Sequence, residues 1–380
     1  MTDMNLAPHT SADRRNAVLA VMRAAGVDTL VFCGNGHHMI DLSNPVAHLT
    51  GYRSVGPAVL VLDAGGAMSL LTSPADEGER IAALPLASYR AGDDFAALVG
   101  ELSVASKRVA TIGLDDMPRR LAAELLRRLP ADPPALDGAI YAATGRKTDD
   151  EIAHARTATR IAEAGYRHML EIVRPGMPEC DLAVAVNLFM RALGANDSFL
   201  MLNCGPSADA VMPSSERRIE PGDLLLCELS PSVEGQFVQI CRTVSIGAPK
   251  HETPEKYGLL VAAMRDGIAR VRPGARMGDV CGAIDDTLSA QGYAKFSRPP
   301  FIRRRGHGLG CGSVFPGDVS VDNDTPLEPG MLFMVHPNQF LPETGYMMCG
   351  EPVLVTDDGC EVLTERQAEL AVVSGTEGRP

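Results

Sequence analysis

The segment Leu327-Glu328-Pro329-Gly330-Met331-Leu332-Phe333-Met334-Val335-His336 echoes an earlier one, Ile219-Glu220-Pro221-Gly222-Asp223-Leu224-Leu225-Leu226-Cys227-Glu228, 108 positions upstream. Each is a Glu-Pro-Gly turn running into an apolar stretch that reads as a buried strand. A second echo precedes the first. Val173-Arg174-Pro175-Gly176 and Val271-Arg272-Pro273-Gly274 stand 98 positions apart, each leading into amphipathic residues that end near Gly194 and Gly292. Two ordered copies of helix, helix and paired strands predict a pseudo-twofold domain, a curved sheet covered by helices. In this register Glu228 and His336 are equivalent, a carboxylate and an imidazole at matching ends of matching strands.

Upstream of the repeat, Thr148-Asp149-Asp150-Glu151 is a capping box, in which the Thr oxygen and the Glu carboxylate each satisfy a backbone amide. It opens a long helix toward Val173, and a domain boundary is expected just before it, giving domains 1–145 and 146–380. The first domain alternates α and β. Residues 11–25 read as an amphipathic helix with Ser11 as N-cap and Gly26 as stop. Residues 29–33 read as a strand, 57–63 and 68–72 as a hairpin, 109–114 as a strand and 118–129 as a helix.

At 380 residues the chain favours two domains, and 45% apolar with 22% charged residues is ordinary for a globular protein. The net charge of −13 disfavours a nucleic-acid partner. No run of about 18 apolar residues exists, so no membrane span or membrane partner is expected. Residues 1–15 show no basic head followed by an apolar core, so no secretory leader is expected. Nine scattered cysteines form no Cys-x-x-Cys pair, which argues against a zinc cage or a disulfide framework and fits a reducing cytoplasm.

Taken in order, Thr148 to Ile152, the two Arg-Pro-Gly turns, Pro221-Gly222-Asp223-Leu224, Gly306-His307-Gly308-Leu309-Gly310, Pro329-Gly330-Met331 and Val353-Leu354-Val355-Thr356 resemble the creatinase, prolidase and methionine aminopeptidase superfamily. The resemblance covers the whole chain. It implies an α/β fold: an amino-terminal creatinase-like domain followed by a pseudo-twofold "pita-bread" catalytic domain. The metallopeptidases of that superfamily hold two metal ions with two aspartates, a histidine and two glutamates. Carried over, these positions fall on Glu228, Gln239, His307, His336 and Gly350, the last becoming Glu351 if the alignment slips by one. One or two carboxylates do not offset four positive charges, so a dinuclear centre is not expected. A single ion on Glu228, His307 and His336 is a second reading, since one carboxylate and two imidazoles is a known ligand set.

Creatinase and ectoine hydrolase keep the fold without metal and hydrolyse small nitrogen compounds at C–N bonds. The resemblance to them implies a metal-independent, cofactor-free hydrolase of a small polar substrate such as an amidine, a cyclic amide or an N-substituted amino acid. Creatinase's base falls near Val211 or Met212, where this chain has none. His336 is then the expected base, oriented by Glu228 or Glu351, with His307 polarising the substrate carbonyl. Gln239 is expected at the substrate, and Arg242 with Arg305 to grip a substrate carboxylate. The resemblance also implies a homodimer whose first domain closes the neighbour's site, which brings in His37 and Arg53. An Xaa-Pro-type metallopeptidase with an altered mononuclear site and a non-catalytic small-molecule binder are the alternatives. A Cys–His nucleophile using Cys241 or Cys311 is a further chemistry.

Overall fold

The computed structural model describes residues 10–82, 84–102, 104 and 108–374. Residues 1–9, where the absence of a leader was in part read, lie outside them. The chain divides into two compact units, one ending at Gly145 and the other beginning at Arg146.

The first unit is built on a five-stranded sheet. Its order is Ser88–Ala91, Met68–Thr72, Ala58–Asp63, Thr29–Gly34 and Val109–Ile112. The hairpin forms as expected, with Val59 opposite Leu71 and Val61 opposite Ser69. The Thr29–Gly34 strand is buried throughout and runs parallel to Val109–Ile112. The first helix covers Thr10–Ala24, and the side chain of Ser11, the expected cap, lies outside the described residues. Among the described residues no helix is long and apolar enough to cross a membrane.

The second unit carries the internal repeat in its hydrogen bonds. Gly176 N donates to Ile219 O at 2.8 Å, and Gly274 N to Leu327 O at 2.9 Å. Gly222 N donates to Ile246 O at 2.7 Å, and Gly330 N to Val355 O at 2.9 Å. All four glycines have φ between 82° and 92°, the left-handed region that side chains with a Cβ rarely adopt. These Pro-Gly turns therefore set where each helix and strand begins. The first half orders its strands as Ala371–Val373, Ile240–Ile246, Leu224–Val233 and Asp197–Gly205. The second orders Gly306–Gly308, Leu332–Val335, Glu351–Val355 and Cys360–Val362.

Each half buries its own apolar core. Ile161, Leu182, Val186 and Met190, on the helices Asp149–Ile172 and Glu179–Ala192, pack on Leu225, Cys227 and Leu229. Leu260, Met264, Ile284 and Leu288, on Thr253–Ile268 and Met277–Ala290, pack on Phe333, Val335 and Val353. The capping box at Thr148 and Glu151 is present in both directions.

The strand Gly306–Gly308 runs unusually close to its neighbour. Gly306 has φ 151°, and a Cβ there would lie 1.8 Å from Met334 O. Gly306→Ala is expected to cost about 3 kcal/mol, because the two strands must part to admit the methyl. Chemical denaturation checks this, and an unchanged midpoint contradicts it.

Candidate active site

The two halves of the second unit join through a reciprocal backbone pair. Cys241 N donates to Gly350 O at 3.2 Å, and Gly350 N to Cys241 O at 3.1 Å. Glu228 stands opposite Cys241 across the first half, and Val335 opposite Glu351 across the second, which sets His336 against Gly350. A Cβ on Gly350 would fall 2.6 Å from His336 Cβ and 2.5 Å from Met334 Cε. The Cβ of His336 and the Met334 methyl therefore stand where a side chain on residue 350 would need to be.

The Gln239 amide links the polar groups. Its nitrogen donates to Glu228 Oε2 at 3.4 Å and to Ser230 Oγ at 3.2 Å, while Oε1 lies 3.2 Å from His307 Nε2. His307 Nδ1 donates to Gly308 O at 2.9 Å, which fixes the ring. The His307 and His336 rings meet edge to face, 5.3 Å between centroids. His307, His336 and Gln239 are buried, and Glu228 is half-buried. Burial, and then the neighbouring charge of His307, hold the His336 pKa well below the ordinary imidazole value. His336 is thus neutral near pH 7, and its Nδ1 is buried with no hydrogen-bond partner. A buried polar atom with no protein partner is costly unless a bound group uses it.

Two further residues join this cluster. Tyr346 lies near Glu228 and Cys241, with Asn338 beside it. Burial raises the Tyr346 phenol well above its ordinary range, so it keeps its proton. Asn338 Oδ1 is buried and unpartnered. Neither residue stood among the sequence-derived site residues. The signal was in the sequence, since both lie within ten positions of His336 and border the turn that carries it.

Three of the expected site residues are placed elsewhere. Arg242 is 3% exposed and turned away from Glu228. Its guanidinium donates to Cys241 O at 2.9 Å, Gly350 O at 2.8 Å, Arg366 O at 3.1 Å and Glu351 at 3.1 Å. Glu351 is fully buried, its Oε1 accepting from Ala368 N at 2.6 Å and its Oε2 from Thr364 Oγ1 at 2.7 Å. Arg242 and Glu351 are therefore a structural ion pair behind the site, not a substrate grip and an acid–base group. Arg305, 1% exposed, is also no substrate grip. It ion-pairs with Asp285 at 2.7 Å and donates to Pro337 O at 3.0 Å, Asn338 O at 3.2 Å and Gln339 Oε1 at 3.0 Å. Its effect is to pin the turn that presents His336 and Asn338.

His37 and Arg53 belong to the first unit, where His37 is exposed and Arg53 half-buried. Cys241 is fully buried, and burial pushes its thiol pKa well above the ordinary value. It donates to Glu228 Oε1 at 3.8 Å and is unsuited as a nucleophile. Cys311 accepts from Gln236 Nε2 at 3.3 Å.

Residues 153–357 match metallopeptidase family M24, more than half of the chain, and the chain belongs to that family. It is 29% identical over 230 residues to an uncharacterized peptidase, YqhT, of Bacillus subtilis, covering 60% of this chain and 64% of that one. It thus spans less than two thirds of that relative's length. The crystal structure of dipeptidase PepE from Mycobacterium ulcerans superposes with a TM-score of 0.80 at 25% identity, over 97% of this chain and 99% of that one. That of X-Pro aminopeptidase from Thermotoga maritima gives 0.82 at 20% identity, over 94% and 99%, a likeness of fold. The pita-bread architecture and its amino-terminal α/β domain are therefore those of this chain.

The comparisons overturn the main functional expectation. A metal-independent hydrolase of small amidines or cyclic amides does not fit a chain whose family is a metallopeptidase family and whose relatives are named peptidases. The donor set imposes its own constraint. Among the described residues no group of three or more His, Cys, Asp or Glu side chains is arranged to hold a metal ion. The Gln239 amide lies between Glu228 and His307 and bonds to the first while facing the second. As arranged, these residues do not fit the ion the family implies.

Proposed function

We propose that the second unit hydrolyses the C–N bond of a short peptide, as a dipeptidase or an Xaa-Pro peptidase. The observation that carries this reading is the linked cluster of Glu228, Gln239, His307 and His336 in a chain belonging to family M24.

Hydrolysis needs an acceptor for a water proton, a donor to the developing oxyanion and a proton for the departing amine. His336 supplies the first: its imidazole is neutral and Nδ1 is unpartnered. As the water oxygen bonds to the carbonyl carbon, its proton passes to Nδ1. Tyr346 retains its phenolic proton and donates it as a hydrogen bond to the carbonyl oxygen. Collapse of the tetrahedral species breaks the C–N bond, and the proton on His336 moves to the amine. Glu228, held by Gln239, is the carboxylate of the cluster and lies near the Tyr346 phenol.

The test is release of free amino acids from a panel of dipeptides including Xaa-Pro members, alone and with manganese, cobalt or zinc. Turnover of at least one peptide in any arm is expected, and none in every arm rejects the reading. Homodimerisation, with His37 and Arg53 of one copy reaching the other's site, belongs to the same proposal. Sedimentation at dimer mass is expected, and a monomer with full turnover contradicts it.

A further inference from the structure

The hairpin formed by Gln339–Leu341 and Gly345–Met347 has two unlike faces. Leu341 and Met347 point into the hydrophobic core, and Gln339 bonds to Arg305. Alternation along a strand puts Phe340 and Tyr346 on the opposite face, and they are direct cross-strand partners. Tyr346 is the residue that borders Glu228, so Phe340 stands beside the candidate site.

Phe340 is not alone there. Its ring stacks with Phe301 at 5.7 Å and 25°, and Phe296 meets both, at 5.9 Å from Phe340 and 4.9 Å from Phe301. All three rings are half-buried. Phe301 and Phe340 are absent from the apolar core that takes in Leu341 and Met347. Two large rings left partly open beside a buried polar cluster are unfavourable in water unless something apolar covers them. The polar side of the same corner supplies an unused acceptor, Asn338 Oδ1, 98% buried. An apolar wall with a few convergent polar atoms is how small-ligand sites are lined.

We infer that Phe340 and Phe301 form the side-chain subsite of this site, so that the substrate is a short peptide bearing an aromatic or large aliphatic side chain, whose backbone N–H is accepted by Asn338 Oδ1. The inference rests on the peptidase reading and narrows its substrate class. A wall of aromatic rings rewards each added apolar group of the substrate, whereas a polar or open corner does not.

The test compares kcat/KM for Ala-Ala with that for Phe-Ala, Leu-Ala, Ala-Phe and Ala-Leu, in the full chain and in Phe340→Ala. A preference of about tenfold or more for the larger side chain at one position is expected, and Phe340→Ala is expected to collapse that ratio. A ratio unchanged in Phe340→Ala, or a preference for alanine, overturns the inference. If Phe340→Ala does not fold, as judged by circular dichroism, Phe340→Leu carries the test: preference for phenylalanine over leucine should fall. Should no peptide be turned over, calorimetric titration with phenylalanine amide and alanine amide separates the two readings. Tighter binding of phenylalanine amide, lost in Phe340→Leu, keeps the subsite while the peptidase reading fails, and equal binding or none overturns the subsite.

Discussion

His336→Ala is expected to lower kcat for peptide hydrolysis by about 10²–10⁴-fold, the range for loss of a positioned general base. Its Cβ packs against Gly350, so the truncated chain keeps the backbone contact and loses only the ring. Circular dichroism should therefore show the variant folded. The pH dependence follows from the direction of the His336 shift. Because burial holds the folded pKa well below 6.5, the base stays unprotonated, and turnover persists, at pH values where an ordinary imidazole is half protonated. The same shift sets a stability trend. The unfolded chain takes up this proton near the ordinary imidazole pKa of about 6.5, whereas the folded chain does so only at lower pH. Its contribution is thus complete above 6.5 and is lost progressively as pH falls from there through the depressed folded pKa. An acid limb at the ordinary imidazole value, or a His336→Ala enzyme with normal kcat, contradicts the assignment.

The second large effect concerns the ion pair behind the site. Arg242→Ala is expected to destabilise the protein by about 3–5 kcal/mol, since it leaves a fully buried Glu351 without its counter-charge. Replacing both partners, Arg242→Met with Glu351→Leu, should recover much of the loss, because two buried charges are then removed together. Denaturant unfolding measures both. If Arg242 instead held a substrate carboxylate, Arg242→Ala would raise KM and leave the unfolding midpoint unchanged, and that outcome contradicts the structure.

That arginine shows where sequence reading stopped short. Gln239, Cys241 and Arg242 follow closely in the chain, but successive residues of a strand face opposite sides, so Arg242 cannot share the face from which Cys241 meets Glu228. The same alternation separates Glu351 from Gly350. Arg305 was misplaced for another reason: beside Asp285 and Gln339, its partners include the backbone carbonyls of Pro337 and Asn338, which no side-chain pattern announces. Tyr346 reaches Glu228 only through the cross-strand register of a short hairpin. The repeat, by contrast, was legible, because its turns depend on glycine at positive φ and so leave a mark in the residues themselves. Glu228 and His336 occupy corresponding places in that repeat, and Gln239 and His307 link them through successive contacts.

The most direct test of the central claim is the rate of amino-acid release from the best dipeptide of the panel by the unaltered chain and by Glu228→Gln. The comparison is made without added metal and with manganese, cobalt or zinc. Glu228→Gln keeps the size of the side chain and its capacity to bond with Gln239 while removing the one carboxylate of the cluster. Turnover by the unaltered chain, reduced about a hundredfold or more in the variant, is the result expected. No turnover in any arm, or a Glu228→Gln enzyme as fast as the unaltered chain, contradicts it.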